Sequence, residues 1–480
     1  MGLLTLPNEE LIRGSAEEVF DLIASAEGGW LFNAECEVLR AGAVVRLQLP
    51  TLAHGDQPLG ATGRVVFVER PKRLVIEQFA PWPARLTCTV TGERDPRNGE
   101  PEHCRVRVVC EVPEEALEWH LRRRGLRSPS RRGDDEQPVG LLLSQSGPGN
   151  VFAGATENLA RMAIDEINDD GPPLGKRLRL AVGDDGTSPS IGASAARMLA
   201  EEGCSGIVAN GISTVFMAAG SALRHHDALL IFSLANEGGP VNGRLLRLGE
   251  RPLAQLGLAI PRVMSVADGR RWFFAGNDYS WPAAVNRCAG GVIEDAGGTV
   301  VGQRLVPLGT RTFEPLIEAV ERSGADCVLS TFVGADAAAF ERQFYAAGLR
   351  DRCKTLSPGL DEATREHIGT AAGAGIWAVF GYFEDLPTTE NRDFLKRYRQ
   401  RFGPWAPPPS SLSESVYETL HLLAHAVRRA GSWDPRDVAR AMRSSRFCGP
   451  RGNVSIAADG EMTQEMYLAE AVAGGYEIRG

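Results

Sequence analysis

The apolar pattern of this chain changes character on either side of one segment, and that break dictates two folded pieces rather than one. Residues 121–138, LRRRGLRSPSRRGDDEQP, hold six arginines and three acids with Ser, Pro and Gly and almost no apolar side chain. A stretch of this kind cannot bury itself, so it reads as a solvated linker, taken as 125–137 between its flanking elements. Before it, apolar residues alternate with polar ones; after it, continuous apolar runs alternate with helical patterns. The chain has 480 residues, 43% hydrophobic and 24% charged, which is enough globular material for several cores.

In the leading piece, residues 1–124, Ser15 can cap a helix whose Glu18 completes a capping box, with Val19, Leu22 and Ile23 as its apolar stripe. Period-two runs follow at 44–49, 63–68, 74–79, 85–90 and 104–110, the pattern of antiparallel strands with one wet face. A short helix from Pro113 to Arg124 closes the piece. With S-A-E-E-V-F-D at its front and V-E-R-P-K-R-L in its middle, the segment 8–124 resembles the SRPBCC superfamily of START-like and polyketide-cyclase-like domains. The resemblance implies an α+β helix-grip domain, in which a long terminal helix lies across a curved sheet over an apolar cavity. Here the closing helix is short and no Glu/His or Glu/Arg pair stands out, which favours binding over turnover.

The trailing piece, 138–480, alternates strand and helix. Val139 to Leu143 is apolar throughout, as a strand covered on both faces must be, and Phe152, Ala155, Leu159, Met162, Ala163 and Ile167 then follow at helical spacing. Further strands at 178–182, 206–209 and 228–232, and a second set beginning at Arg271, give β-α-β order and hence parallel sheets with right-handed crossovers. Two sets with a late return to the first make two lobes and a hinge: lobe 1 about 138–257 and 386–448, lobe 2 about 258–385 and 449–480.

Open parallel sheets bind ligands beyond the carboxyl ends of their strands. Those ends carry Ser144 to Asn150 with Ser146, then Asn210-Gly211-Ile212-Ser213-Thr214, then Phe232-Ser233-Leu234-Ala235-Asn236-Glu237. In the second set comes Gly276-Asn277-Asp278-Tyr279-Ser280-Trp281-Pro282. Ser213 can cap a helix or hydrogen-bond a ligand. With V-G-L-L-L-S-Q-S-G at 139, A-I-D-E-I-N at 163 and S-T-F-V-G-A-D at 330, the last heptapeptide resembles the type I periplasmic-binding-protein family over about 138–478. Within it the chain is most similar to the branch that binds short amides and urea, related to branched-chain amino-acid receptors.

That resemblance implies an α/β two-lobed flytrap, not an enzyme, with Ser213 as the loop serine and Tyr279 with Trp281 as an aromatic clamp. It implies main-chain contacts from Val333 and Gly334, and it makes Ser146, Thr214, Phe232, Ser233, Leu234 and Asn236 further candidate ligand contacts. Gly211 and Leu234 stand where the small-amide branch favours tyrosine and threonine, and Phe232 replaces a frequent tyrosine. Fewer hydroxyls and a missing bulky side chain imply a roomier, less polar site.

A net charge of −9 argues against a nucleic-acid surface. Nine cysteines without C-x-x-C spacing suggest neither a disulfide framework nor a zinc cluster, and read as reduced, mostly buried thiols. His421 and His425 have the i,i+4 spacing of metal ligands but no third ligand, and neither a phosphate loop nor a G-x-S-x-G elbow occurs, so no metal, cofactor or catalytic residue is expected. MGLLTLPNEELIRG meets Pro7, Glu9 and Glu10 before any apolar run develops, and no stretch is long and apolar enough to span a bilayer, so the sequence predicts a cytoplasmic protein. The function that fits is a cytoplasmic, non-catalytic sensor closing on an amide, urea or amino-acid-like molecule, with a protein partner or a second copy as reader. The alternatives are the substrate-binding component of an ABC-type importer, and an enzyme or lipophilic-ligand binder acting through the leading domain.

Overall fold

Ser15 starts the first helix in the way its sequence requires: its hydroxyl accepts from the Glu18 amide at 3.3 Å, and the Glu18 carboxylate accepts from the Ser15 amide at 2.9 Å. A computed structural model describes residues 3–24, 34–49, 59–94, 101–123, 135–238 and 243–479. The Arg-rich segment falls mainly at 124–134, outside the described residues. The chain divides into two compact units, Met1–Pro129 with Gln145–Asn150, and Ser130–Ser144 with Val151–Gly480.

In the first unit the elements run β1 (Leu3–Arg13), α1 (Ala16–Ile23), β2 (Glu35–Cys36), β3 (Val44–Leu49), β4 (Leu59–Glu69), β5 (Arg73–Ala80), β6 (Ala84–Arg94), β7 (Pro101–Pro113) and α2 (Glu114–Arg123). The strands form one antiparallel sheet in the order β1-β7-β6-β5-β4-β3-β2. Val19, Phe20 and Ile23 of α1 pack against Val45, Val65, Ile76 and Val90 of the sheet. Leu22, expected in the buried stripe, is 57% exposed, because it lies about 100° around the helix from Ile23 while Phe20 takes the inward place. The period-two pattern did not mark β1, an edge strand paired with β7 from Leu3↔Pro113 to Arg13↔His103 and wet on both faces, so that it lacks alternating burial.

The second unit opens with a five-stranded sheet, all parallel, in the order β12-β11-β10-β8-β9. Its strands are β8 (Glu136–Leu143), β9 (Arg177–Asp184), β10 (Gly206–Asn210), β11 (Leu229–Phe232) and β12 (Leu245–Arg247), linked by α3 (Ala153–Asp169), α4 (Pro189–Glu201) and α5 (Ser213–Ala222). Val139, Leu141, Leu142 and Leu143 are wholly buried, as an apolar run inside a parallel sheet must be.

A second sheet follows through α6 (Pro252–Ala267), β13 (Arg271–Asn277), α7 (Ser280–Asp295), β14 (Thr299–Val306), α8 (Glu314–Ser323) and β15 (Cys327–Thr331). It continues through α9 (Gly334–Ala346), β16 (Lys354–Ser357), α10 (Glu362–Ile368), α11 (Thr370–Gly373) and β17 (Ile376–Phe380). The chain then returns with α12 (Thr389–Phe402), α13 (Ser411–Ala430) and α14 (Pro435–Met442), and α13 packs on α3 and β10 of the first sheet. A small antiparallel sheet, β18 (Arg446–Gly449), β19 (Gly452–Ile456) and β20 (Met462–Thr463), precedes β21 (Tyr467–Val472) and β22 (Gly475–Ile478), which extend the second sheet to β14-β13-β15-β16-β17-β21-β22. The passages between the sheets thus lie at 248–251, 381–388 and 464–466.

All nine cysteines are free thiols, and only Cys448 is exposed. Burial pushes the Cys88, Cys327 and Cys353 thiols up to about 12, so almost no thiolate forms at neutral pH. Maleimide is expected to modify Cys448 first on the native chain and to reach Cys88, Cys327 and Cys353 only after denaturant is added. Rapid native labelling of those three, read by peptide mass, would contradict the packing.

Candidate functional site

The buried strands of the second unit end in short loops that set polar and aromatic side chains at their carboxyl edges. β10 hands over at Asn210 to Gly211 and Ile212, and α5 begins at Ser213. Ile212 is the residue preceding the helix and supplies no side-chain cap. The Ser213 hydroxyl does not cap its helix: it donates to Glu237 Oε2 at 2.7 Å, across to the loop that follows β11. Glu237 is not among the residues the family resemblance points to; the signal it offers in the sequence is an acid just past the end of a wholly apolar strand.

From the second sheet, Tyr279 precedes α7 and Val333 precedes α9, and both are half-buried. Each packs against the apolar core of its own sheet and also against that of the first sheet, so these two side chains span the gap between the strand ends. Burial, then the charges of Glu237 and Asp336, hold the Tyr279 phenol in its protonated form. Ser213, Glu237, Leu234, Tyr279 and Val333 therefore form the group the fold gathers.

Other candidates sit elsewhere. Trp281 is 4% exposed and lies in the core of the second sheet with Leu256, Ile260, Val285 and Leu329, so the expected two-ring clamp rests on Tyr279. Phe232 is buried and stacks on Phe216 with ring centres 4.6 Å apart, which makes it a core side chain. Ser233 accepts from Asn210 Nδ2 at 3.0 Å and donates to the Ala209 carbonyl at 3.3 Å. Asn236 closes its own turn, donating to the Leu234 carbonyl and accepting from the Gly238 amide, both at 3.1 Å. The Val333 amide donates to Asn277 Oδ1 at 3.2 Å, so this N–H holds a loop, and the adjoining Gly334 is buried at φ 53° at the start of α9. Thr214 is the second residue of α5 and half-buried; Ser146 is buried within Gln145–Asn150, the segment that groups with the first unit. His421 faces Glu166 at 3.6 Å and stacks on Phe447; among the described residues no group of three His, Cys, Asp or Glu gathers to hold a metal.

Gly211 has a steric reason. A Cβ there would lie 2.2 Å from Asp185 Oδ2, so a tyrosine at this position would require the buried carboxyl to move. Asp185 Oδ1 accepts from Ser144 Oγ at 2.6 Å and from the Thr187 amide at 2.7 Å, while Oδ2 has no hydrogen-bond partner among the described residues. Burial pushes the Asp185 carboxyl up to about 7; the Ser144 bond opposes the shift, the Asp184 charge adds to it and the Thr187 amide opposes it. Between about pH 4 and 7 the folded chain therefore holds a proton that the unfolded chain has released, so stability falls as pH rises through this window and levels off above it. Asp185→Asn is expected to flatten that slope and to raise the denaturant midpoint at pH 8, where the native carboxylate is charged. Equal midpoint shifts at pH 4 and pH 8 would contradict the assignment.

A family model described as periplasmic binding protein matches residues 136–476. The chain belongs to the periplasmic binding protein family. Its relatives include Leu/Ile/Val-binding protein homolog 6 of Brucella melitensis biotype 1, 26% identical over 231 residues, which are 46% of this chain and 55% of that protein. The chain thus spans about half the length of that curated relative. An amino acid ABC transporter substrate-binding protein from Pseudomonas fluorescens Pf-5 has a similar structure, with TM-score 0.65 and 18% identity, covering 73% of this chain and 96% of its own. So does an ABC transporter solute-binding protein from R. palustris in complex with benzoate, with TM-score 0.64 and 22% identity, covering 72% and 96%. These likenesses establish the two-lobed fold with its parallel sheets. Members of the family are binding proteins rather than enzymes. The cytoplasmic location expected from the sequence is corrected: the family whose model matches residues 136–476 is that of the periplasmic binding proteins.

Proposed function

We propose that this periplasmic binding protein is the substrate-binding component of an ABC-type importer and captures a small organic solute between its two lobes. The observation that carries the proposal is the reach of Tyr279 from the second sheet onto the core of the first, beside the Ser213–Glu237 pair. A ring in that place adds a large contact area with little side-chain entropy, and its hydroxyl can still pair with a polar group. Capture needs only that the closed arrangement bind the solute better than the open one, since differential affinity of a few kcal/mol moves the population. Ser213 and Tyr279 act from opposite lobes, and Leu234 gives the site an apolar wall where the small-amide branch favours threonine. The relatives' names, covering branched-chain amino acids and benzoate, favour the importer over a sensor.

The first unit, with α1 and α2 accompanying one antiparallel sheet, suits the SRPBCC helix-grip reading, and we assign it a binding or docking role. The test of the main proposal is a thermal-shift screen of the full chain against amides, ureas, amino acids and aromatic acids and amines, because a ligand that binds only the folded state raises its melting temperature by mass action. A shift of several degrees with one chemical class is expected, and a flat response across the panel would contradict it.

A further inference from the structure

The Leu248 amide donates to the Phe232 carbonyl at 2.8 Å, and the Asn236 amide donates to the Glu250 carbonyl at 2.9 Å. The first passage between the sheets therefore runs alongside the loop that carries Glu237. Between these two bonds stands Gly249 at φ 96°, where a Cβ would lie 2.2 Å from the Leu234 carbonyl oxygen, so the passage is flush with that loop. Arg251 adds a second tie. A Cβ at Gly238 would lie 2.1 Å from its Nη1, and the same guanidinium pairs at 3.0 Å with Glu461, just ahead of the last passage.

Glu250 faces both ways. Its carbonyl holds the site loop, while its carboxylate accepts from the Gly381 amide of the second passage at 3.2 Å, from Ser411 Oγ at the start of α13 at 2.6 Å and from Arg451 Nη1 at 3.4 Å. That Nη1 also donates to Gln464 Oε1 of the third passage at 2.6 Å. Glu250 is 3% exposed, so a bond broken here is not made good by water. A hinge absorbs closure in a few backbone torsions, and two places are coupled when one element with two arrangements touches both. Resting on the capture reading above, we propose that Glu250 is a positioning residue through which the hinge sets the solute site. A turn of the Glu250 peptide that accompanies lobe movement also releases the Asn236 amide, and with it the loop that presents Glu237 to Ser213. The lobes open and the Ser213–Glu237 edge loosens in one event. Gln464, bonded to Arg451, governs order in 232–237 through Glu250.

The test is hydrogen exchange of the full chain without solute, in Gln464→Leu and Glu250→Gln beside the parent, with urea titration of each. Gln464→Leu cuts the third passage from Arg451 and leaves both charges in place. Glu250→Gln keeps an oxygen for Ser411 and Gly381 and removes the charge that faces Arg451. Each is expected to speed exchange by about fivefold or more in 232–237 of the first lobe and in 277–282 and 332–337 of the second, through easier local opening. The buried strand β8, at 139–143, should exchange as in the parent. A merely structural role would instead move every segment together with the urea midpoint. Unchanged exchange at 232–237 in either variant, a change confined to one lobe, or a rise shared equally by β8 would overturn the proposal. Because no solute is added, the two readings fail separately: a flat thermal-shift panel removes the solute and leaves the coupling, whereas unchanged exchange removes the coupling and leaves the solute.

Discussion

Replacing Arg451 with methionine is expected to destabilise the fold by about 3–5 kcal/mol, the cost of leaving buried carboxylates without their cation. Arg451 lies in the turn between β18 and β19 and is 3% exposed. Its Nε donates to Glu414 at 2.6 Å and lies 3.3 Å from Glu418, while its Nη1 reaches Glu250 at 3.4 Å and Gln464 at 2.6 Å. Glu250 in turn accepts from Ser411 Oγ at 2.6 Å and from the Gly381 amide at 3.2 Å. These partners come from all three passages between the sheets: Glu250 from 248–251, Gly381 from 381–388 and Gln464 from 464–466. Gly381 belongs in this position because a Cβ would lie 3.0 Å from both Arg451 Nη1 and Gln464 Oε1.

One guanidinium faces three carboxylates. Burial raises Glu418 well above the usual carboxylate range against the pull of Arg451, and raises Glu414 in the same sense. Glu418→Gln is therefore expected to change stability far less than Arg451→Met, since a neutral side chain replaces one that burial already favours as neutral. Urea titration of the full chain measures both. A loss below about 1 kcal/mol for Arg451→Met, the size ordinary for a surface ion pair, would mean that the cluster holds nothing together.

Tyr279→Ala is expected to weaken solute binding by about 2 kcal/mol or more, roughly thirtyfold, the range of an aromatic anchor in a closed interface. The fold should survive, because Tyr279 is half-buried and sits at the rim of both cores, whereas Trp281 is inside one of them. Trp281→Ala is accordingly the destabilising change of the pair. Calorimetry with the best stabiliser from the thermal-shift screen reads the first effect, and urea titration the second. Unchanged affinity in Tyr279→Ala would remove the ring from the site.

The strands of the trailing piece were legible because a parallel strand covered on both faces is written as an unbroken apolar run, as in Val139 to Leu143. The meeting of Ser213 with Tyr279 was legible only through family resemblance, since no periodicity relates residues on two different sheets. Glu237 and Asp185 were hidden for a related reason: each owes its environment to residues distant in sequence, Ser213 for one and Ser144 with Gly211 for the other. Trp281 shows the opposite failure. It stands two positions after Tyr279, but Tyr279 precedes α7 in extended conformation while Trp281 is the second residue of the helix and faces the core. β1 went unread because an edge strand with both faces wet has no pattern to leave.

The central claim, that both sheets close on one solute, is tested most directly by hydrogen exchange of the full chain with and without the strongest stabiliser from the thermal-shift screen. The account predicts added protection in residues 211–216 and 232–237 of the first lobe together with 277–282 and 332–337 of the second. Protection confined to one lobe, or to the first unit alone, would contradict it.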